Sequence, residues 1–259
     1  KDVQGPIASV AQLREVAVKL IDFAKRTKLV LILIGHITKE GEIAGPKILE
    51  HLVDCVLYLE GEKISNFRVL RANKNRFGPT DEVGIFEMKE KGLEQVTNPT
   101  IFLDNDHVIS PGKTTVGVME GTRPLFFEIQ VLAVQTVLPV PRRVVRGVDY
   151  NKVQLLLAVI RKNLNLSLDQ YDIYVNVVGG VTVKSTAVDL GIVTATISSI
   201  KNLPISEKTV FTGEVGLLGE IRKVLYQDKI IKEATRLGFT QVYSPKNLKS
   251  VKEIMKIFK

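Results

Sequence analysis

Apolar side chains at Val10, Leu13, Val16, Ala17, Leu20, Ile21 and Ala24 recur every three or four residues, the spacing of one helix face. Ser9 precedes the run, with Gln12 three residues on, the pattern of a capped helix start. Next comes Leu29-Val30-Leu31-Ile32-Leu33-Ile34, β-branched or leucine throughout and closed by Gly35. A short, wholly apolar run of this kind predicts a strand buried on both faces of a sheet. His36 and a polar, Gly-containing loop to Lys47 follow. Helix, buried strand and polar loop together predict part of an α/β nucleotide-binding layout, in which ligands lie beyond the strands' carboxyl ends.

Further along, Phe67–Asn73 reads as extended chain, and Lys74-Asn75-Arg76-Phe77-Gly78 with Pro79 forms its polar end. Strand followed by turn carries the cationic tips of Lys74 and Arg76 off a sheet rim, toward any anionic group beyond it. Val83–Met88 and Gly92–Val96 predict a hairpin around a charged turn. Asn98-Pro99 and Asp104-Asn105-Asp106 are breakers, so we expect a first domain over 1–98, a linker over 99–110 and a second domain over 111–259. That second domain predicts strands at 114–119, 124–136, 173–178 and 210–213, and helices at 149–163, 187–202, 228–237 and 248–258. Without strict alternation, the class expected there is α+β.

Charge sharpens the division. Of the net +8, residues 1–98 contribute 15 Lys+Arg against 14 Asp+Glu, and residues 99–259 contribute 21 against 14. A basic excess confined to one domain is an electrostatic footprint for nucleic acid; a solvated basic surface without a partner is the plain alternative. Tryptophan is absent and aromatics are 6%, so phosphate contacts are favoured over base stacking. Arg142, Arg143 and Arg146, beside Pro141, have the forked donors that phosphate contact needs. No apolar stretch reaches the ~20 residues of a membrane span, and the charged start is unlike a signal peptide. The single cysteine, Cys55, is expected to be packed in an apolar strand, in a reducing, cytoplasmic setting.

A phosphate-binding loop of the form G-x-x-x-x-G-K-[ST] does not occur in the sequence. Gly41 to Lys47 imitates one, but the spacing is one residue short, Pro46 removes an N–H, and Ile48 stands where a hydroxyl is required.

The run GHITKEGEIAGPKILEHLVDCVLYLEG at 35–61, KNRFG at 74–78, MEGTRPLFFEIQ at 119–130, PRRVVRGVDYNKV at 141–153 and TGEVGLLGEIRKV at 212–224 together resemble the bacterial RadA (Sms) family. The resemblance covers essentially the whole chain. It implies the distal part of an α/β RecA-like ATPase core, followed by an α+β Lon-protease-like domain of the ribosomal protein S5 domain 2 type. The family's phosphate-binding loop and four-cysteine zinc module are missing here, so the chain resembles an N-terminally truncated form. ATP and Mg2+ are then expected for the full-length protein and no cofactor or metal for this piece alone.

By the same resemblance, Lys74 and Arg76 would reach the nucleotide of a neighbouring subunit, and His36 would sense its state. Lys39 and Lys47 would lie on the channel loop that tracks single-stranded DNA. The implied assembly is a homo-oligomeric, hexameric ring, acting in branch migration beside the recombinase RecA. For Arg142, Arg143 and Arg146 the expectation is DNA contact, with ion pairs between subunits as the alternative.

Aligned with the family's Lon-type serine and lysine, this sequence has Ala187 and Ile230, which carry neither nucleophile nor base. Ser185 and Lys229 lie close by, but a one-residue offset on a helix turns a side chain by roughly 100°. The domain is therefore expected to be peptidase-inactive. A Ser/Lys peptidase with a degenerate dyad, and a structural ring that binds proteins without DNA, remain as rival readings.

Overall fold

The computed structural model describes residues 10–36, 49–61, 66–103 and 109–258. The chain divides into two compact units, residues 1–58 with 71–81, and residues 59–70 with 82–259.

In the first unit, α1 (Val10–Thr27) forms as its periodicity predicts and ends where Lys28 turns left-handed, with φ 55°. Leu29 then donates its N–H to the Ala24 carbonyl at 3.0 Å, a helix-closing bond. Ala17 is buried, whereas Leu13, Val16, Leu20 and Phe23 on the same stripe are exposed. Residues 29–36, expected as a strand buried on both faces, belong to no strand among the described residues. Val30 and Ile34 are each 90% exposed. A two-sided burial requires neighbours on both faces, and no described strand pairs with this segment. Lys39 and Lys47 lie outside the described residues.

A four-stranded sheet has the order β1 (Cys55–Glu60), β2 (Phe67–Asn75), β3 (Val83–Lys89) and β4 (Gly92–Gln95). The predicted hairpin is antiparallel β3–β4. It belongs to the second unit, in whose core Ile85 and Val96 are buried. Cys55 is exposed on β1, against the expectation of a packed thiol, because alternate residues of this strand face outward. Part of the expected linker is also core. Phe102 stacks on Phe127 at 4.8 Å and meets Phe67 edge-on at 4.8 Å.

The second unit is built on a six-stranded mixed sheet, ordered β12-β9-β5-β6-β8-β7. Its long central hairpin is β5 (Lys113–Glu120) with β6 (Arg123–Gln135), and β6 also pairs antiparallel with β8 (Tyr171–Val177). The remaining pairings are parallel: β9 (Thr209–Phe211) with β5, β12 (Gln241–Tyr243) with β9, and β7 (Arg143–Arg146) with β8.

Helices cover both faces. A methyl group on Gly191 of α3 (Asp189–Lys201) would strike Val116, whereas one on Gly117 would strike Ile230 of α4 (Gln227–Arg236). Val116 and Gly117 are consecutive in β5 and so face opposite sides of the sheet. α2 (Tyr150–Leu164) packs on α3. Its start is fixed by Asp149, whose carboxylate accepts the Lys152 N–H at 2.7 Å, and its end by Asn165 at φ 54°. Each fully buried Leu, Ile, Val or Phe of this core contributes roughly 1.5–3 kcal/mol; Phe126, Phe211, Leu156, Ile160, Leu190 and Ile230 are among them.

Candidate functional site

The Lys74–Gly78 turn is built by Asn75. Its side-chain oxygen accepts the Phe77 N–H at 3.1 Å, and its amide nitrogen donates to the Pro79 carbonyl at 3.2 Å. Asparagine is suited to such local side-chain-to-backbone turns. Lys74 reaches back to the end of the short helix at 49–52 and donates to the Glu50 carbonyl at 2.8 Å. Arg76 donates its backbone N–H to the Asp54 carbonyl and pairs its guanidinium with the Asp54 carboxylate, each at 3.0 Å. The Arg76 side chain is 57% exposed, and an exposed pair of this kind holds by only about 0–1 kcal/mol. Arg76 can therefore be drawn to a stronger anion at small cost, whereas Lys74 is half-buried against backbone carbonyls. His36 is exposed at the end of the unpaired apolar segment.

The arginine group of the second unit divides in two. Arg143 turns inward and donates to the carbonyls of Leu168 at 2.8 Å, of Arg142 at 2.9 Å, and of Tyr171. Partial burial lowers the pKa of its guanidinium, with Asp172 and Asp169 opposing that shift. It is a structural clamp on the β8 entrance, not the outward phosphate donor expected from sequence. Val144 and Arg146 on the outer strand, and Arg142 just before it, fall at alternate positions and are exposed. Among the described residues neither Arg142 nor Arg146 makes a side-chain ion pair. Arg161, near the end of α2, pairs with Asp169 at 3.0 Å, both side chains being exposed.

Ala187 and Ile230 are both fully enclosed. Ile230 occupies the space above Gly117 and leaves no room there for an added methyl group. Ser185 accepts the Ala187 N–H at 3.3 Å and so serves as the cap of the 3-10 turn Thr186–Val188. Lys229 is exposed, with its ammonium 4.9 Å from the centre of the Tyr226 ring. The structure does not bring Ser185 and Lys229 into any recorded contact with one another.

The chain is 49% identical over 249 residues to DNA repair protein RadA of Halalkalibacterium halodurans, covering 95% of this chain and 54% of that protein. The DNA repair protein RadA of Bacillus subtilis is 46% identical over 245 residues, 94% of this chain and 54% of its own. That of Streptococcus pneumoniae is 44% identical over 247 residues, 95% of this chain and 59% of its own. Over that stretch the chain belongs to the RadA family. It spans a little over half the length of these curated relatives. Residues 148–247 also match the family described as subunit ChlI of Mg-chelatase. These residues lie in the second unit and carry no phosphate-binding loop.

One feature of this RadA-family unit was not foreseen from the sequence. Lys152 on α2 pairs with Asp189, the first residue of α3, at 2.8 Å. Asp189 is completely buried, and the same carboxylate oxygen accepts the Val215 N–H at 3.2 Å. Its other oxygen is enclosed and has no hydrogen-bond partner. Burial raises its pKa to about 6, and Lys152 and the Val215 N–H oppose that rise without cancelling it. A sequence signal did exist: Asp189 is the single charge in the otherwise apolar run from Ala187 to Val193. Its partner is 37 positions away, beyond the reach of pattern reading.

Proposed function

We infer that this chain is part of a RadA-type motor of DNA repair and recombination, which moves on single-stranded DNA with ATP and promotes branch migration. The observation that carries this reading is identity of 44–49% to DNA repair protein RadA across about 95% of the chain, with the KNRFG turn intact. Within this chain the first unit supplies Lys74 and Arg76. The second unit is a Lon-like, peptidase-inactive scaffold for ring assembly and DNA contact, with RecA the partner recombinase in recombination.

The residues present do not fit ATP and Mg2+ by themselves, since no phosphate-binding loop occurs in the sequence. Arg76 instead fits a completing role. Its guanidinium is exposed, its present partner is weak, and the Asn75 turn fixes where it emerges. A cation delivered this way stabilises charge developing on a transferred phosphoryl group and makes turnover depend on assembly. In that reading Lys74 braces the turn through Glu50, and His36 would respond to nucleotide state once its strand is paired.

On the DNA side, Arg142 and Arg146 are the donors, with Lys39 and Lys47 on the channel loop. Single-strand affinity should fall with salt at a log–log slope of about −0.7 per phosphate contacted.

The decisive test uses the RadA-length protein. Arg76→Ala should abolish the ATPase stimulation by single-stranded DNA and leave nucleotide binding intact; unchanged turnover in this variant overturns the role. In parallel, anisotropy of labelled single-stranded DNA is measured on the 259-residue chain across a salt series. Arg142→Ala with Arg146→Ala should shallow the slope by more than about 1. A flat, salt-independent response in the parent chain would instead favour a structural ring that binds proteins.

A further inference from the structure

Between α2 and the hairpin of β10 (Glu214–Val215) and β11 (Ile221–Arg222) lies a groove of about 270 Å³. One wall is the α2 series Lys152, Leu155, Leu156 and Val159, spaced by three and four residues so that all face one way. The other wall is the hairpin. Its turn is set by Gly219 at φ 89°, which donates its N–H to the Gly216 carbonyl at 2.9 Å. This turn raises Leu217 and Leu218, 66% and 86% exposed, at the rim, and Leu155 of α2 is exposed beside them. Two adjacent leucines held outward by a rigid turn are costly in water unless covered.

One charge of this groove is left without a partner. Lys152 is committed to Asp189 at 2.8 Å, and Arg222 turns to Glu220. Glu214 stands opposite Arg222 in the hairpin register, yet among the described residues it makes no ion pair. Behind Lys152 and Val215, Asp189 keeps one buried oxygen without a donor. Two cations and two carboxylates line the groove, and with Lys152 held by Asp189 and Arg222 by Glu220, Glu214 is the charge left without a partner beside the leucine rim.

The geometry points to this groove as the docking site for an extended segment of a partner protein, one with a single basic side chain between apolar ones. The apolar residues cover Leu155, Leu217 and Leu218, and the cation meets the half-buried Glu214. An anionic nucleic acid strand is the wrong ligand here, so this surface is separate from the arginine face and does not depend on the DNA reading.

The test is fluorescence anisotropy of the 259-residue chain with a fluorescein-labelled peptide Ser-Gly-Leu-Arg-Leu-Leu-Gly-Ser, beside the same peptide with Glu in place of Arg. The basic peptide should bind and the acidic one should not. Glu214→Gln should weaken the basic peptide about three- to fivefold, and Leu218→Ser about tenfold, with both variants keeping the parent's thermal unfolding. Equal binding of both peptides, no binding of either, or no effect of the two substitutions overturns the proposal. Light scattering after size exclusion guards one more outcome. If Leu218→Ser splits an oligomer of the parent chain, the groove holds a second copy and the partner assignment is wrong.

Discussion

Replacing Lys152 by Met gives a pH-dependent loss of stability whose sign follows from the burial of Asp189. In the open chain this carboxyl titrates near 3.8, and in the fold it is raised to about 6. At about 1.4 kcal/mol per unit, the ionised form is some 3 kcal/mol less favourable inside the fold than in the open chain, even with Lys152 at 2.8 Å. Because the folded value lies above the unfolded one, the stability this carboxyl contributes is complete below about pH 4 and is lost as pH rises through about 6. The Met side chain keeps the stem of Lys152 and removes its charge. At pH 4.5 Asp189 is largely protonated in the fold, the ammonium has little to attract, and the variant should lie within about 0.5 kcal/mol of the parent. At pH 7.5 the variant must bury an unpaired carboxylate or bind a proton against the solution, at a cost of about 2–3 kcal/mol. That is below the range for breaking a fully enclosed pair, because the Lys152 end is partly hydrated. Urea unfolding at both pH values measures the difference directly, and Asp189→Asn, which cannot titrate, should flatten the parent's loss across pH 4–6. An equal loss from Lys152→Met at the two pH values, or a larger loss at pH 4.5, would refute the reasoning.

Three further outcomes are expected. Arg143→Lys should lower stability by about 1–3 kcal/mol, because a lysine cannot serve the Leu168, Arg142 and Tyr171 carbonyls at once; Arg142→Ala should leave the melting temperature unchanged in the same calorimetric comparison. Gly117→Ala should cost about 1–3 kcal/mol through its 2.4 Å approach to Ile230, and in a double-mutant cycle Ile230→Ala should relieve part of that cost. The single cysteine, Cys55, is exposed, so the native chain should take up one equivalent of a thiol reagent without denaturant; reaction only after unfolding would contradict its placement on β1.

Much of the second unit was legible because its signals are local. α2 carries its own cap at Asp149 and a left-handed stop at Asn165, and β5 and β6 meet across the short turn Gly121-Thr122. What could not be read was the order of the strands. β9 joins β5 in parallel from nearly a hundred residues downstream, and β12 then adds to β9; nothing in three-residue strands signals which neighbour they choose. The last segment shows a subtler limit. Val251 and Ile254, three apart and both buried, fit a helix of either pitch; the chain takes the tighter 3-10 form over Val251–Phe258.

Residues 29–36 and the arginines fail for opposite physical reasons. Leu29 to Ile34 has the composition of a two-sided core strand, but composition fixes only a preference, and burial has to come from partners that no described strand provides. For the arginines, residue type correctly signalled strong forked donors and could not say what they hold. Arg143 closes on three carbonyls because the entrance to β8 leaves those acceptors in reach, whereas Arg142, one residue before it, and Arg146, three residues after it, face outward. The same logic separates Lys74 from Arg76 two residues later in the KNRFG turn: one cation is consumed by the fold at the Glu50 carbonyl and the other is lightly held by Asp54. A motif of cations therefore divides into braces and donors by what backbone lies within reach of each tip. The donor is the one whose present partner a phosphate can displace.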